Sequence, residues 1–185
     1  RLRDLMRAPE APDLVRDGTV VQGLRPVDVD GVGAVNGLPG TGGPPDPSMF
    51  RDQLIEEMKR HDVVDPNQFL EMDETALVRV KAMIPPGAKR GDPIDIHVIA
   101  PKESRAQNLH QGWLLDTRLR EQRMLQNVVR QSEVMAIGMG AVLTRADYTP
   151  GTDETLPLEG RVLAGGRVQI TRKLGLILRP KYQHA

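Results

Sequence analysis

The spacing of apolar residues predicts one helix in the first third of the chain. Between Pro47 and Arg60, apolar side chains recur three or four positions apart, which places them on one face of a helix. These positions are Phe50, Leu54, Ile55 and Met58. Asp46 offers a carboxylate as N-cap, and Pro47 suits the first helical position. The sequence therefore predicts a helix of about 47–60.

The hydrophobic period then changes to that of a strand. From Thr75 to Ile84, apolar residues alternate with mostly polar ones, so one face of a strand is buried. The buried face consists of Ala76, Val78, Val80, Ala82 and Ile84. Pro85 and Pro86 end this strand, and a second alternating run covers Ile94–Ile99 after a short loop. Two such runs predict an antiparallel pair.

Further apolar segments predict a mostly β protein. They are Leu2–Met6, Thr19–Leu24, Gly112–Leu119, Glu133–Thr144 (with a bulge or close backbone approach at Gly138 and Gly140), Arg161–Thr171 and Leu174–Arg179, the last two joined by a tight connection. Arg120–Ser132 has helical propensity without an apolar stripe, which predicts a mobile connection, and Tyr148–Pro157 is predicted as a loop. The predicted fold class is α+β, with mostly antiparallel or mixed sheet and one helix packed on it.

Domain boundaries follow from the same pattern. Residues 1–46 are predicted to form an N-terminal arm with a glycine-rich segment, and residues 47–185 an α+β body. Together they are expected to be one structural domain, 1–185, of a longer protein. Because the chain begins at Arg1 rather than Met, a signal peptide is expected to have been removed.

Gly31–Asp46 is the most unusual segment, because glycine and proline crowd the sequence GVGAVNGLPGTGGPPD. A dinucleotide fingerprint GxGxxG fails here, since Asn36 stands where the third glycine is needed. A phosphate-binding GxxxxGK[ST] loop fails as well, because Gly37–Pro44 reads GLPGTGGP, without the lysine or the hydroxyl residue that the motif needs. The segment is interpreted as backbone shaped by a turn or by close packing.

Composition and motifs give no support to catalysis. The net charge is +0, which does not favour electrostatic binding of nucleic acid, and there is no cysteine for thiolate chemistry. The four histidines lack metal-ligand spacing, and no serine lies in a GxSxG elbow. Carboxylate pairs such as Asp92 with Asp95 are interpreted as solvated surface. We therefore predict no enzyme, no catalytic, cofactor or metal site, and no transmembrane segment.

Five ordered blocks resemble the bacterial flagellar P-ring protein family. The first is Val20–Gly43, which is similar to the family's VQGVR followed by VGYGLVVGLxGTGD. The others are Ile84–Ala100 (family PPxAxxGQxIDVxVSS), Asn108–Leu119 (SLRGGTLLMTPL), Val134–Val142 (VYALAQGxxxV) and Gly160–Gln169 (GRxxxGAxxE). The chain departs from the family at Gly43, where an aspartate is usual, at Gln107, and at His110 and Gln111 within the RGG element.

This resemblance implies a structural subunit of the P ring, a periplasmic bushing around the flagellar rod that supports rotation. It implies a homo-oligomeric ring that meets the rod and outer-membrane ring proteins near the peptidoglycan, without nucleic acid. A ring needs heterologous interfaces between subunits. The candidate ring or rod contacts are Gly37, Gly40, Thr41, Gly42, Lys89, Arg90 and Arg105.

A second hypothesis assigns the loop 37–43 to ligand binding. On this view the chain is a soluble module that binds an anion or a peptide through the backbone of its glycine-rich loop. Calorimetric titration of the chain with nucleotides or polyanions separates the two hypotheses, because saturable micromolar binding would count against the bushing.

Overall fold

The computed structural model describes residues 14–125, 128–145 and 157–183. Two predicted segments lie outside the described residues. One is the strand Leu2–Met6, and the other is the loop Tyr148–Pro157, of which only Pro157 is described. The helices are α1 (Val15–Gly18), α2 (Met49–Arg60) and α3 (Pro66–Leu70), with short 3₁₀ turns at Lys102–Ser104 and Pro180–Tyr182. The strands are β1 (Thr19–Gln22), β2 (Val27–Asn36), β3 (Ala76–Ile84), β4 (Pro93–Ile99), β5 (Trp113–Leu125), β6 (Val128–Ala141), β7 (Glu159–Val168) and β8 (Gly175–Leu178).

Six of these strands form a closed barrel in the order β2-β3-β4-β7-β6-β5, in which every pair is antiparallel. Strand β2 closes the barrel because it pairs with both β3 and β5. Strands β1 and β8 form a separate two-stranded antiparallel sheet. The predicted class, α+β with mostly antiparallel sheet, is confirmed.

The predicted hairpin of β3 and β4 is present and supplies much of the barrel interior. Val80 pairs with Val98, and both side chains are fully buried. On the opposite face of β3, Leu77 is also fully buried, because α2 and α3 cover it with Leu54, Met58 and Leu70. The molecule therefore has one core inside the barrel and a second one between the barrel and its helices.

Helix α2 begins two residues later than predicted, and its N-cap is Ser48 rather than Asp46. The hydroxyl oxygen of Ser48 accepts a hydrogen bond from the backbone N–H of Arg51 at 3.3 Å. Asp46 instead forms an ion pair with Arg105, which brings its carboxylate to a distant part of the chain. The serine thus satisfies one free amide of the first turn, as an N-cap does.

The glycine-rich segment Gly31–Asp46 has two parts in the structure, because Gly31–Asn36 continues β2 and only the remainder is a loop. A Cβ at Gly31 would collide with the carbonyl oxygen of Arg118. Glycine at this position therefore allows β2 and β5 to approach closely where they close the barrel. Composition alone does not separate a glycine used for strand packing from one used in a turn.

The mobile connection predicted for Arg120–Ser132 is wrong, because most of this segment belongs to β5 and β6. Strands β5 and β6 continue beyond the barrel as a two-stranded extension, with Gln122 opposite Gln131 and Arg123 opposite Arg130. These four side chains are exposed, so this part of the sequence lacks the alternation by which strands are recognised. The irregularity predicted near Gly138 and Gly140 is confirmed as a register shift across from them in β5.

The two strands predicted at Arg161–Thr171 and Leu174–Arg179 are present as β7 and β8, and they belong to different sheets. Strand β7 lies in the barrel between β4 and β6, whereas β8 pairs with β1, more than 150 positions earlier in the chain (Thr19 opposite Leu178). The strand predicted at Thr19–Leu24 is confirmed as β1. This pairing brings the two ends of the described chain together outside the barrel.

Candidate functional site

The loop Gly37–Asp46 is held at one end of the barrel by backbone hydrogen bonds to the turn before β3. The N–H of Leu38 donates to the carbonyl oxygen of Glu74 at 3.0 Å, and the N–H of Gly43 donates to that of Thr75 at 3.0 Å. Between them, the N–H of Gly42 donates to the carbonyl oxygen of Asp73 at 2.7 Å. The loop therefore has a defined conformation built from main-chain contacts.

Gly42 is the point of closest approach in this loop. A Cβ there would collide with the carbonyl oxygens of Thr75 and Asp73. Gly37 and Gly40 differ from Gly42, because both have positive φ (76° and 73°) and open space where a Cβ would lie. Close packing thus requires glycine at 42, whereas backbone conformation favours it at 37 and 40.

A second segment, Lys102–Asn108, holds the loop from its other side. The Thr41 hydroxyl donates to the main-chain and side-chain oxygens of Asn108, at 3.2 and 3.1 Å. The N–H of Gln107 donates to the carbonyl oxygen of Thr41 at 2.8 Å, and Arg105 pairs with Asp46. Five of the predicted contact residues, Gly37, Gly40, Thr41, Gly42 and Arg105, therefore lie together at one end of the barrel.

Lys89 and Arg90 lie at the opposite end, in the loop between β3 and β4. The nine residues of β3 separate the two ends, which corresponds to roughly 20 Å along a tilted barrel. The N–H of Lys89 donates to Asp92 at 2.8 Å and that of Arg90 to the Thr171 hydroxyl at 3.1 Å. Their side chains are exposed and make no ion pair with the described residues. The seven predicted residues thus form two surfaces.

The ligand-binding hypothesis for loop 37–43 is not supported. The amide of Gly37 donates to the side-chain oxygen Oδ1 of Asn36 at 2.6 Å. The amide of Gly40 donates to the carbonyl oxygen of Leu38 at 2.8 Å. The amides of Gly42 and Gly43 are used as well, as described above. A backbone anion site needs several free N–H groups that converge on one point, and these four amides are already used within the fold.

Sequence reasoning missed two apolar surfaces. One is the apolar ribbon, formed by β1 and β8, where Val20, Ile177 and Leu176 are about half exposed. The other is the α2 groove, which lies between α2 and the outer face of β2, β5 and β6 and is open at Trp113 and Met139. The signal for the ribbon was present in the sequence, because both strands are apolar at successive positions.

Metal and membrane sites are not indicated by the described part of the chain. Within residues 14–125, 128–145 and 157–183, no group of three or more His, Asp or Glu side chains is placed to hold a metal ion. Asp95, a candidate in a carboxylate pair, accepts a hydrogen bond from the N–H of Ala164 at 2.8 Å. In the same ranges, every helix is too short or too polar to cross a membrane.

Comparison with known proteins identifies the family. The family model of the flagellar P-ring protein matches residues 14–178, which include every barrel strand and both strands of the apolar ribbon. The chain belongs to the flagellar P-ring protein family. The resemblance seen in the ordered sequence blocks is therefore confirmed.

Curated P-ring relatives agree with this assignment. The flagellar P-ring protein of Idiomarina loihiensis is 30% identical over 175 residues, covering 91% of this chain and 44% of the relative. That of Alteromonas mediterranea is 36% identical over 129 residues, covering 69% of this chain and 34% of the relative. That of Geotalea uraniireducens is 28% identical over 159 residues, covering 84% and 40%. The chain thus spans less than half the length of these P-ring relatives.

At Gln111, where the chain departs from the P-ring pattern, a change to glycine is expected to increase the stability of the fold. Gln111 has φ of 65° at a position where the family's RGG element has glycine. A side chain in this left-handed conformation costs about 1–2 kcal/mol, of which the greater freedom of glycine in the unfolded chain offsets a part. We expect Gln111→Gly to raise the free energy of unfolding by about 0.5–1 kcal/mol, measured by urea denaturation monitored by circular dichroism. Gln107→Gly is the control, because Gln107 lies in a loop and does not have positive φ. This change should lower the free energy of unfolding. Equal effects of the two substitutions would contradict the explanation by positive φ.

Proposed function

We propose that this chain is part of a structural subunit of the flagellar P ring, a periplasmic bushing around the rod that has no catalytic role. The observation that carries the proposal is the family match across the whole barrel and ribbon. The fold is consistent with a mechanical part, because main-chain hydrogen bonds hold its glycine-rich loop in a defined conformation. The partners we propose are further copies of the subunit, the rod and the outer-membrane ring.

Both ends of the barrel are proposed as contact surfaces. At one end, the Gly37–Asp46 loop presents rigid backbone with little side chain, which suits close packing against a neighbouring subunit or the rod. At the other, Lys89 and Arg90 project from a loop fixed by two backbone hydrogen bonds. A fixed loop loses little conformational entropy when its side chains bind carboxylates of a partner. Two separate surfaces agree with the heterologous contacts from which rings are built.

The test is genetic and structural. Deleting the gene that encodes this chain is expected to abolish swimming and to yield basal bodies that lack the P ring in electron micrographs. Returning the intact gene should restore both, and Lys89→Glu with Arg90→Glu should restore them less well. Lys81→Glu with Arg161→Glu serves as the matched control, because these two exposed cations lie on the barrel wall and make no ion pair with the described residues. Normal basal bodies in the deletion strain would contradict the proposal.

A further inference from the structure

The apolar ribbon has an unusual surface, because both of its faces are apolar and open. Val20 and Ile177 are paired directly, so they share one face; they are 52% and 46% exposed. Val21 and Leu176 form the next pair on the other face, at 46% and 60% exposed. Aliphatic side chains on both faces of a sheet are typical of strands that are covered on both sides. The ribbon therefore exposes apolar area that is expected to be buried in an assembly.

The edges of the ribbon are unprotected as well. Within the described residues, β1 and β8 pair only with each other, and neither strand contains a charged residue or a proline. Natural sheets usually carry such residues at free edges to prevent pairing with another chain. A two-stranded sheet is also only marginally stable by itself. The ribbon thus has the properties of a segment that completes its packing on another surface.

A surface of matching character lies elsewhere on the same molecule. The α2 groove has a volume of about 400 Å³ and is lined by Leu54, Met58, Phe69, Leu115, Trp113 and Met139, among others. Trp113 and Met139 remain half exposed at its opening. Among the described residues that line the groove, none belongs to the ribbon, so the two apolar surfaces lie at different places on the molecule. Exposed Trp and Met side chains are favoured at protein interfaces.

We propose that the apolar ribbon of one copy of this chain packs into the α2 groove of a second copy. An apolar projection and an apolar groove at different places on one molecule make a heterologous contact, which continues from copy to copy and closes if the rotation permits. The ribbon carries no charge, so it meets no like charge at Glu57, Asp116 or Arg118, which also line the groove. The inference rests on the proposed ring function, for which it names one subunit interface.

Paired substitutions test this contact in the purified chain. Leu176→Lys with Ile177→Lys places a charge on each face of the ribbon, and Met139→Lys places one in the groove. Each variant alone is expected to self-associate at least about tenfold more weakly than the wild type in sedimentation velocity, because an unpaired charge resists burial. Met83→Lys is the matched control, since Met83 is 57% exposed on β3 and lines neither surface.

Mixing the two variants decides whether the contact is heterologous. The ribbon variant keeps an intact groove and the groove variant keeps an intact ribbon, so an equimolar mixture should form one-to-one dimers. A monomeric wild type, unchanged association of either variant, or a mixture that stays monomeric would overturn the inference. Circular dichroism must show that each variant is folded.

Disulfide trapping provides a second measurement, because the chain contains no cysteine. Ile177→Cys mixed with Met139→Cys should give a mixed disulfide dimer under oxidising conditions, whereas Ile177→Cys mixed with Met83→Cys should not. Equal trapping in both mixtures would contradict the proposed contact. If trapping fails while the deletion strain lacks its P ring, the interface is wrong and the proposed function stands. If trapping succeeds and the deletion strain has normal rings, the proposed function is wrong and the contact between copies stands.

Discussion

Replacing Leu119 by alanine is expected to lower the free energy of unfolding by about 4 kcal/mol, near the upper part of the range for such changes. Leu119 is completely buried in the barrel core. Its two methyl groups lie beside Gly31 and Gly138, at 3.3 and 3.9 Å from the positions that a Cβ would take on those glycines. Neither glycine has a side chain that could move into the space, so the cavity should remain open.

This prediction is measured by urea denaturation followed by circular dichroism, with the midpoint and slope fitted for wild type and variant. The control is Leu163→Ala in β7, where the leucine is 59% exposed. Its expected cost is below about 0.5 kcal/mol, because little buried area is lost at an exposed site. Similar costs for the two leucines would mean that Leu119 does not fill the barrel as described.

Replacing Gly42 by alanine is expected to cost about 3 kcal/mol and to release the Gly37–Asp46 loop from the turn before β3. The new methyl group would meet the carbonyl oxygens of Asp73 and Thr75. These same oxygens accept the hydrogen bonds from Gly42 and Gly43. Relief of the collision therefore requires the backbone to move and weakens two hydrogen bonds together.

Hydrogen exchange followed by NMR measures the release directly. The amides of Gly42 and Gly43 should exchange faster in the variant, relative to buried amides of β3. Gly40→Ala is the matched control in the same loop, because open space surrounds a Cβ there and only the positive φ is unfavourable. Its cost should be about 1 kcal/mol, without faster exchange at Gly42. Unchanged exchange in Gly42→Ala would exclude the close approach as the reason for this glycine.

Local patterns in the sequence predicted the parts of the fold that rest on a core. Strands β3 and β4 and helix α2 each have one face buried, so their periods of 2 and about 3.6 are visible in the sequence. In the extension of β5 and β6, described side chains such as Gln122 and Arg130 are exposed, so the sequence shows no period there, and the prediction was wrong. Leu77 is the converse case, because its burial depends on a helix that crosses the outer face of β3.

The candidate contacts were predicted as one set, and the structure separates them. Short motifs identified Gly42, Lys89 and Arg90 by residue type, yet residue type contains no information on which end of a barrel a loop occupies. The hydrogen bonds of the glycine-rich loop likewise depend on a turn more than thirty positions away. Whether either end contacts a ring neighbour stays a prediction until the variants are measured.

By itself, the sequence determined the α+β class, the main helix, the central hairpin and, through ordered motifs, the flagellar P-ring family. These features depend on residues close together in the chain or on their order. Tertiary structure alone decided that six strands close into a barrel, that β1 pairs with β8, and that an apolar ribbon and an apolar groove lie apart on one molecule. The physical reason is that strand pairing and burial bring together residues that are distant in the sequence. The hydrophobic period of a local segment does not specify which distant segment it contacts.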